Sequence, residues 1–261
     1  MRQMYAAILV SLYCATSSFA HYNMLIPGKP WANKDEKVTF TYQFGHPFEH
    51  ELFDAPKPEG LMVVRPNGEK ETLDIEKILT PTKKAGADGN KVTAWQFTYT
   101  PAERGDYTFV LKTPPIKLDD DKYVQDFVRV ALHVQTQNGW DGRRRAFPSE
   151  MAIRPYTRPY GLLPGMVFRG RVVFVDSAGL EHVGIEWPVE IELYHPRPPK
   201  QLPPDELITF KTRTDPQGYF VTTLPEAGWW GITGLEQSPQ KRAGKVVQWR
   251  TTHWIHVDEK K

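Results

Sequence analysis

The stretch Val38–Phe44 reads Val-Thr-Phe-Thr-Tyr-Gln-Phe, and it decides the fold class of this 261-residue chain. Its apolar side chains alternate with polar ones, which is the period of a strand with one face in a core and the other in water. The same alternation recurs at Trp95–Tyr99 and Tyr107–Leu111, and turn sequences such as Asp215–Gly218 separate such runs. The sequence therefore predicts an all-β protein.

The expected strands lie in both halves of the chain, and only Ile75–Leu79 has a short helical pattern. Gly105 stands two residues before Tyr107, an arrangement in which the phenol of an immunoglobulin-like sandwich ties a corner of the chain. In chain order the predicted strands are Val38–Phe44, Leu61–Val64, Trp95–Tyr99, Tyr107–Leu111, Val124–Val134, Val167–Val175, Val189–Tyr194, Leu207–Thr214, Tyr219–Leu224 and Val246–Val257.

A stretch rich in Gly, Arg and Pro interrupts the strand pattern near the middle of the chain. It runs from Asn138 to Pro148 and has the composition of a linker. We therefore predict two tandem β-sandwich domains, immunoglobulin-like or transthyretin-like, over residues 21–147 and 148–261. Either segment is long enough to bury a core of its own.

Residues 1–20 have the pattern of a cleaved secretory signal peptide. Arg2 precedes an apolar run, and Ser18-Phe19-Ala20 places small residues at the two positions that a signal peptidase reads. The run is too short to span a bilayer, and no later segment reaches the roughly 20 apolar residues that a membrane helix needs. We expect a periplasmic protein that begins at His21 and, because Cys14 leaves with the signal, has no cysteine.

The charge balance and the motifs exclude several classes of function. The chain has 33 Lys and Arg against 31 Asp and Glu, so no strong positive field attracts nucleic acid. It contains no Gly-x-Ser-x-Gly elbow, no Gly-rich phosphate loop and no His-Glu-x-x-His helix. We therefore predict a protein that is not an enzyme and does not bind nucleic acid.

The histidines carry the strongest chemical signal. Within Gly45–Glu51, two imidazoles (His46 and His50) stand beside two carboxylates, a density typical of a metal site with nitrogen and oxygen ligands. An acidic, solvated loop is the alternative interpretation. If cleavage exposes the amine of His21, that amine and its own imidazole form a chelate. We take His21, His46, His50 and Glu49 as candidate ligands of a metal ion.

A terminal amine, the imidazole of the same residue and a second imidazole make the T-shaped three-nitrogen arrangement of a histidine brace. Such donors suit nickel, cobalt or copper. We expect divalent Ni or Co as the bound ion, with Cu as a further possibility. Copper binds such nitrogens most tightly of the three, so tight copper binding alone identifies no function.

Motifs along nearly the whole mature chain resemble the DUF4198 family, and more narrowly the periplasmic component of cobalt and nickel ABC-type (energy-coupling factor) transport systems. The resemblance implies a periplasmic Ni or Co binding protein whose partners are the membrane subunits of the transporter, with His21 and His46 at the family's motif positions. The matching segments are His21–Pro27, Gly45–Glu49, Gly139–Asp141, Thr157–Leu162, Asp215–Phe220 and Ala227–Gly231.

Two copper functions remain as alternatives. A lytic polysaccharide monooxygenase also begins with a mature histidine on a β-sandwich, and this chain has many aromatic residues that could stack on sugars. A copper chaperone or resistance protein could use the same brace. Against the oxygenase, His46 follows His21 closely in the sequence, and the motifs around it match the transport family.

Overall fold

The computed structural model describes residues 21–86, 89–119, 122–136, 140, 150–176 and 178–260. The predicted signal peptide at 1–20, with Cys14, lies outside the described residues. So does the predicted domain boundary between residues 147 and 148, together with all of the predicted linker except Trp140.

The N-terminal part of the chain consists of short strands with one helical turn, α1 (Ile75–Ile78), where the sequence predicted a brief helix. Its strands are β1 (Tyr22–Pro27), β2 (Trp31–Ala32), β3 (Val38–His46), β4 (Glu51–Phe53), β5 (Gly60–Val64), β6 (Lys70–Leu73), β7 (Thr80–Ala85), β8 (Lys91–Tyr99), β9 (Gly105–Lys112), β10 (Ile116–Asp119) and β11 (Lys122–Val134).

The C-terminal part is built in the same way, with one 3₁₀ turn at Asp205–Leu207. In the part of the chain that the structure describes, no helix has the length and apolar character needed to cross a membrane. The all-β prediction is confirmed. The strands are β12 (Met151–Pro155), β13 (Met166–Val175), β14 (Glu181–Val183), β15 (Pro188–Tyr194), β16 (Thr209–Arg213), β17 (Tyr219–Leu224), β18 (Gly228–Leu235), β19 (Gln240–Arg242) and β20 (Lys245–Val257).

The strands form three sheets, and the largest of them runs through both halves of the chain. This shared sheet has the order β16-β15-β18-β20-β11-β9-β5-β6, with β2 and β10 beside β11 and β19 beside β20. Its two halves meet where β11 pairs in parallel with β20, Lys122–Val130 against Val246–Trp254. An N-terminal sheet (β1-β3-β8-β7, with β4 on β3) and a C-terminal sheet (β12-β13-β14, with β17 on β13) complete the fold.

The two smaller sheets pack on opposite faces of the shared sheet. Successive side chains of a strand point to opposite faces, and neighbours in β11 and β20 accordingly enter different cores. Val128 and Trp254 belong to the core under the N-terminal sheet, whereas Phe127 and Ile255 belong to the core under the C-terminal sheet. The fold is therefore two sandwiches that use one common sheet, and its division into two domains at residue 147 stays a prediction.

Strand β3 follows the predicted alternation over most of its length. Val38, Phe40 and Tyr42 are buried in the N-terminal core, as their spacing predicted. Gln43 was expected on the polar face, but it is buried as well, because its Nε2 donates a hydrogen bond to the hydroxyl of Tyr194 at 3.1 Å. At this end of β3 the C-terminal half of the chain covers the outer face.

The expected tyrosine corner is present at the start of β9. The hydroxyl of Tyr107 donates to the carbonyl of Glu103 at 3.2 Å and accepts a hydrogen bond from the backbone N–H of the same residue at 2.9 Å. Because the ring of Tyr107 is buried, these two bonds satisfy a phenol that would otherwise be costly to bury. The prediction from Gly105 and Tyr107 is confirmed.

Candidate metal centre

Strands β1 and β3 bring the two best-supported histidines together. In this antiparallel pair Tyr22 lies opposite Gly45, so His21 and His46 come to the same end of the two strands. Their ring centres are 4.7 Å apart, and the ring planes are inclined by 44°. Residues that are well separated in sequence thus present two imidazoles side by side, and their role as metal ligands stays a prediction.

The spacing of the two rings fits donors to one metal ion. With metal–nitrogen bonds of about 2.1 Å, two imidazoles at right angles around an ion have ring centres about 4.5 Å apart, and two on opposite sides about 6 Å apart. The observed 4.7 Å is close to the first arrangement. The Nε2 atom of His46 is buried and has no hydrogen-bond partner among the described residues, so its bonding capacity is unused.

Phenylalanines enclose the imidazole pair. The ring of Phe53 lies 4.9 Å from that of His21 and 5.8 Å from that of His46, and Phe44 lies 5.5 Å from His21. Burial, with smaller contributions from His46 and the guanidinium of Arg250, lowers the pKa of His21 to about 4. Because metal ions bind the neutral imidazole, His21 stays in its ligand form well below neutral pH.

A carboxylate stands beside His46, and it is Glu51 rather than Glu49. His46 and Glu51 face each other across the hairpin of β3 and β4, with His46 Nδ1 and Glu51 Oε2 3.6 Å apart. Gly45 allows the strands to approach, because a Cβ there would lie 2.0 Å from the carbonyl oxygen of Glu51 and the residue has φ 151°. The register of the hairpin, which cannot be read from the sequence, places Glu51 rather than Glu49 beside His46.

The turn between β3 and β4 points His50 and Glu49 toward the C-terminal half of the chain. The ring of His50 lies 5.8 Å from that of Tyr194, and its imidazole bonds the backbone of His195. Burial lowers the pKa of His50 despite that bond. Glu49 lies near the buried Glu192. Among the interactions of the described residues, none joins His50 or Glu49 to His21 or His46, so their role as ligands stays a prediction.

The described side chains contain no group of three or more His, Cys, Asp or Glu placed to hold one metal ion. The fold assembles the two imidazoles of His21 and His46, with the carboxylate of Glu51 beside His46. A third nitrogen would come from the α-amine of His21 if the chain is cleaved where the sequence predicts.

A comparison with family models identifies the family of this chain. Residues 18–235 match the model described as "Domain of unknown function (DUF4198)". The chain belongs to the DUF4198 family. This confirms the resemblance at the level of the family, and the match covers both halves of the shared sheet except its last strands. No curated protein matches this DUF4198 chain.

Solved structures resemble the protein only distantly. Salmonella α-2-macroglobulin reacted with methylamine aligns with 92% of the chain at 12% identity and a TM-score of 0.29, and a DUF4785 family protein from Legionella pneumophila with 91% at 12% and 0.28. The chain spans 15% and 56% of those two structures. A marsupial T cell receptor aligns with 94% at 9% identity and 0.24, covering 74% of that chain. At these TM-scores the likeness carries no argument.

In this DUF4198 protein a buried ion pair fixes the backbone of His21. Arg250 donates from Nε and Nη2 to the two carboxylate oxygens of Asp126, each at 2.8 Å, and Nη2 also donates to the carbonyl oxygen of His21 at 2.9 Å. Asn23 Nδ2 donates to Asp126 at 2.8 Å. No local signal in the sequence points to this group, because Arg250 and Asp126 are 124 residues apart and carry no local motif.

Further hydrogen bonds hold the start of β1 against the shared sheet. The indole Nε1 of Trp254 donates to the carbonyl oxygen of Asn23 at 3.1 Å, and the hydroxyl of Tyr42 donates to its side-chain oxygen at 2.6 Å. Strand β1 is consequently buried on both faces. The first peptide units after the predicted cleavage point are therefore held in one conformation by β3, β11 and β20.

The remaining histidines have other neighbours. Three of them have a ring nitrogen 2.7 Å from an oxygen: His133 at Asp106, His182 at Asp176 and His195 at the carbonyl of Phe48. His256 lies 3.3 Å from Asp258 and packs on Trp229, and His253 is buried beside Arg129. Among the described residues, buried ring nitrogens without a hydrogen-bond partner also occur in His50, His253 and His256, so the His21–His46 pair is distinguished by the 4.7 Å approach of its two imidazole rings.

Proposed function

We propose that this protein binds a divalent nickel or cobalt ion in the periplasm through His21 and His46, and delivers it to the membrane subunits of an energy-coupling factor type transporter. The observation that carries the proposal is the 4.7 Å approach of the two imidazoles together with the buried, unpartnered Nε2 of His46. The compartment rests on the predicted signal peptide, and the transporter rests on the resemblance stated above.

The donor set suits the proposed ions. A mature His21 would contribute its amine and imidazole, and His46 a second imidazole, which makes three nitrogens of the intermediate softness that Ni and Co accept. Arg250 and Trp254 hold the backbone at this point, so the donors need little ordering on binding. The positive charge of Arg250 is balanced by Asp126 at 2.8 Å, which limits its repulsion of a cation.

His50 and Glu49 have a different part in this proposal. They lie in the turn that attaches β3 and β4 to the C-terminal half, where the backbone N–H of Phe48 donates to Glu192 at 3.1 Å. For either residue to reach the ion, the turn would have to leave Tyr194 and Glu192. We therefore assign the ion first to His21 and His46, with Glu51 as the nearest carboxylate.

The spacing of the rings favours this proposal over a copper brace. A T-shaped brace places its two imidazoles on opposite sides of the ion, with ring centres about 6 Å apart, whereas His21 and His46 are 4.7 Å apart. The oxygenase alternative would therefore require at least one of the two side chains to rotate. A copper-dependent oxidation of polysaccharide by the mature protein would nevertheless overturn the proposal.

The proposal is tested by titration calorimetry on protein that begins at His21. Ni, Co and Cu are titrated separately into this protein, into a variant with one Ala added before His21, and into His46→Ala. Adding the Ala keeps every side chain but removes the amine from the chelate, so Ni and Co affinity should fall by roughly tenfold or more. The control is His182→Ala, which removes an exposed imidazole paired with Asp176 and should leave affinity unchanged.

Equal Ni and Co affinity for the extended and the unmodified proteins would remove the amine from the ligand set. Unchanged affinity in His46→Ala would remove the proposed centre altogether. Delivery is tested separately in cells: deleting the gene should lower nickel or cobalt uptake, and the native protein should restore it whereas His46→Ala should not. Normal uptake without the protein would leave a binding protein that serves no transporter.

A further inference from the structure

The outer face of the C-terminal sheet carries a compact group of arginines and tyrosines. Arg169 and Arg171 lie on β13, Tyr219 lies opposite Arg171 on β17, and Arg154 and Tyr156 lie at the end of β12. These five residues, the Arg–Tyr face, are on the side of the sheet turned away from its core. Phe168 and Phe220, their neighbours in sequence, point inward and are buried.

The guanidinium groups of this face are stacked on the tyrosine rings. Arg169 Cζ lies 4.3 Å from the ring centre of Tyr219 and 5.7 Å from that of Tyr156, and Arg171 Cζ lies 5.0 Å from Tyr219. The two tyrosine rings pack edge to face at 4.9 Å. Stacking of this kind holds the guanidinium planes in place and keeps their hydrogen-bonding edges clear of the ring.

The face has an excess of positive charge. Arg154 contacts Glu181 at 2.6 Å, but no ion pair of the described residues includes Arg169 or Arg171. Arg171 instead donates from Nε to the carbonyl of Gln217 at 2.7 Å. A hydrogen bond with Tyr219 lowers the pKa of the Tyr156 phenol, and the positive charges of Arg171 and Arg154 make smaller contributions in the same direction.

We propose that the Arg–Tyr face is a docking surface for an acidic segment of a protein partner. Tyr and Arg are side chains that protein interfaces concentrate. Two pre-positioned guanidinium groups can each bind a carboxylate through paired hydrogen bonds. Exposed Val167 and Val221 flank them and supply the apolar contact that a protein surface would cover.

Other occupants fit the face less well. A sugar stacks on an open aromatic ring, but Arg169 and Arg171 already cover Tyr219. A lipid bilayer is bound by side chains that insert into it, and the exposed apolar residues among the arginines, Val167 and Val221, are short. The proposal uses none of the residues of the candidate metal centre, so either can fail without the other.

The test measures binding of a fluorescent peptide of alternating Glu and Gly by anisotropy at low salt, with the same peptide carrying Gln in place of Glu as the uncharged control. The full-length mature protein should bind the acidic peptide only. The double variant Arg169→Glu/Arg171→Glu should lose roughly tenfold or more in affinity, and added salt should weaken the native binding.

A matched variant distinguishes binding by the Arg–Tyr face from attraction by the net charge of the protein. Lys37→Glu/Lys91→Glu makes the same change of charge at two exposed lysines of the N-terminal half and should bind the peptide like the native protein. Arg169→Lys/Arg171→Lys keeps the charge but removes the paired hydrogen bonds and should bind with intermediate affinity. Thermal melts should show that all three variants remain folded, since the substituted residues lie on exposed or partly exposed surfaces.

Two results would overturn the proposal. The first is an equal loss of peptide affinity in the arginine and lysine double variants, which would mean attraction by net charge alone. The second is binding of the native protein, but not of Arg169→Glu/Arg171→Glu, to vesicles of phosphatidylcholine and phosphatidylglycerol without any binding of the acidic peptide. That outcome would assign the face to a membrane surface.

Discussion

His21 and His253 both have a pKa lowered to about 4, but the two residues differ in exposure and in their neighbours. In both residues burial is the main cause that lowers the pKa to about 4, and in both an arginine contributes, Arg250 for His21 and Arg129 for His253. His21 is partly exposed and has the imidazole of His46 beside it. His253 is 3% exposed, with its Nδ1 3.5 Å from the carbonyl of Ile153.

A lowered pKa therefore does not identify a metal ligand. A metal ion needs several donors around one point and a route from solvent, and only His21 has a neighbouring donor and partial exposure. His253 lies in the middle of the shared sheet, where an uncharged imidazole simply costs less than a charged one. The following predictions test this contrast, from the largest effect to the smallest.

The largest effect should come from Asp126→Ala. Asp126 binds Arg250, which in turn holds the carbonyl of His21, so the substitution leaves an unpaired buried charge beneath the candidate centre. We expect the free energy of unfolding to fall by about 3–5 kcal/mol in urea denaturation. Asp258→Ala, at the more exposed partner of His256, should cost less than about 1 kcal/mol. Similar losses in the two variants would mean that the Asp126–Arg250 ion pair does not stabilise the fold.

The second prediction is that His46 determines the affinity for Ni, whereas His253 contributes to the free energy of unfolding. His46→Ala should reduce Ni affinity roughly a hundredfold, since it removes a proposed ligand, and it should change stability little because His46 is the last residue of β3 and its side chain is partly exposed. His253→Gln should reduce the free energy of unfolding by about 1–3 kcal/mol and leave Ni affinity as it was. Calorimetry and urea denaturation measure the two quantities. A loss of affinity in His253→Gln would contradict the contrast.

The third prediction concerns the pH dependence of stability. Unfolded His253 titrates near 6.5 but folded His253 near 4, so between these values the unfolded chain binds the extra proton. The stabilising contribution is therefore complete above pH 6.5 and is lost as the pH falls to 4, by about 3 kcal/mol at most. The Gln variant should show a shallower decline over this window in denaturation measured at several pH values. An unchanged slope would mean that the buried imidazole is not the titrating group.

The smallest effect is expected at His50, whose backbone is left-handed with φ 54°. Asn adopts this conformation more readily than Ala, so His50→Asn should be more stable than His50→Ala by about 0.5–1 kcal/mol. Both variants should keep Ni affinity within a few fold of the native protein, because the imidazole faces Tyr194. A loss as large as that of His46→Ala would instead make His50 a ligand.

Local patterns predicted the strands but not how they assemble. The alternation predicted which face of β3 lies in the core. The predicted bounds of the strand Tyr219–Leu224 agree with the structure. The parallel pairing of β11 with β20 was not predictable, because parallel partners are joined by no turn and share no motif. The burial of Gln43 follows from the same assembly, since the residue that covers it, Tyr194, comes from the other half of the chain.

Only the part of the candidate centre that has a local sequence signal was predictable. His21 and His46 were singled out by the cleavage pattern and by the density of ligands around Gly45, and the structure places them together. Glu51 was missed because only the hairpin register puts it opposite His46. Arg250 and Asp126 were missed because their function arises from contacts across the shared sheet.

The use of one sheet by both halves has a consequence for the order in which the protein can be completed. Synthesis proceeds from the N-terminus, so His21 and His46 emerge early, whereas Arg250 and Trp254 belong to the last strand, Lys245–Val257. Until that strand pairs with β11, the carbonyl of His21 lacks its donor and the N-terminal core lacks the Trp254 ring. A partly synthesised chain therefore has its histidines but not their support, and the candidate centre becomes complete only when the final strand has paired.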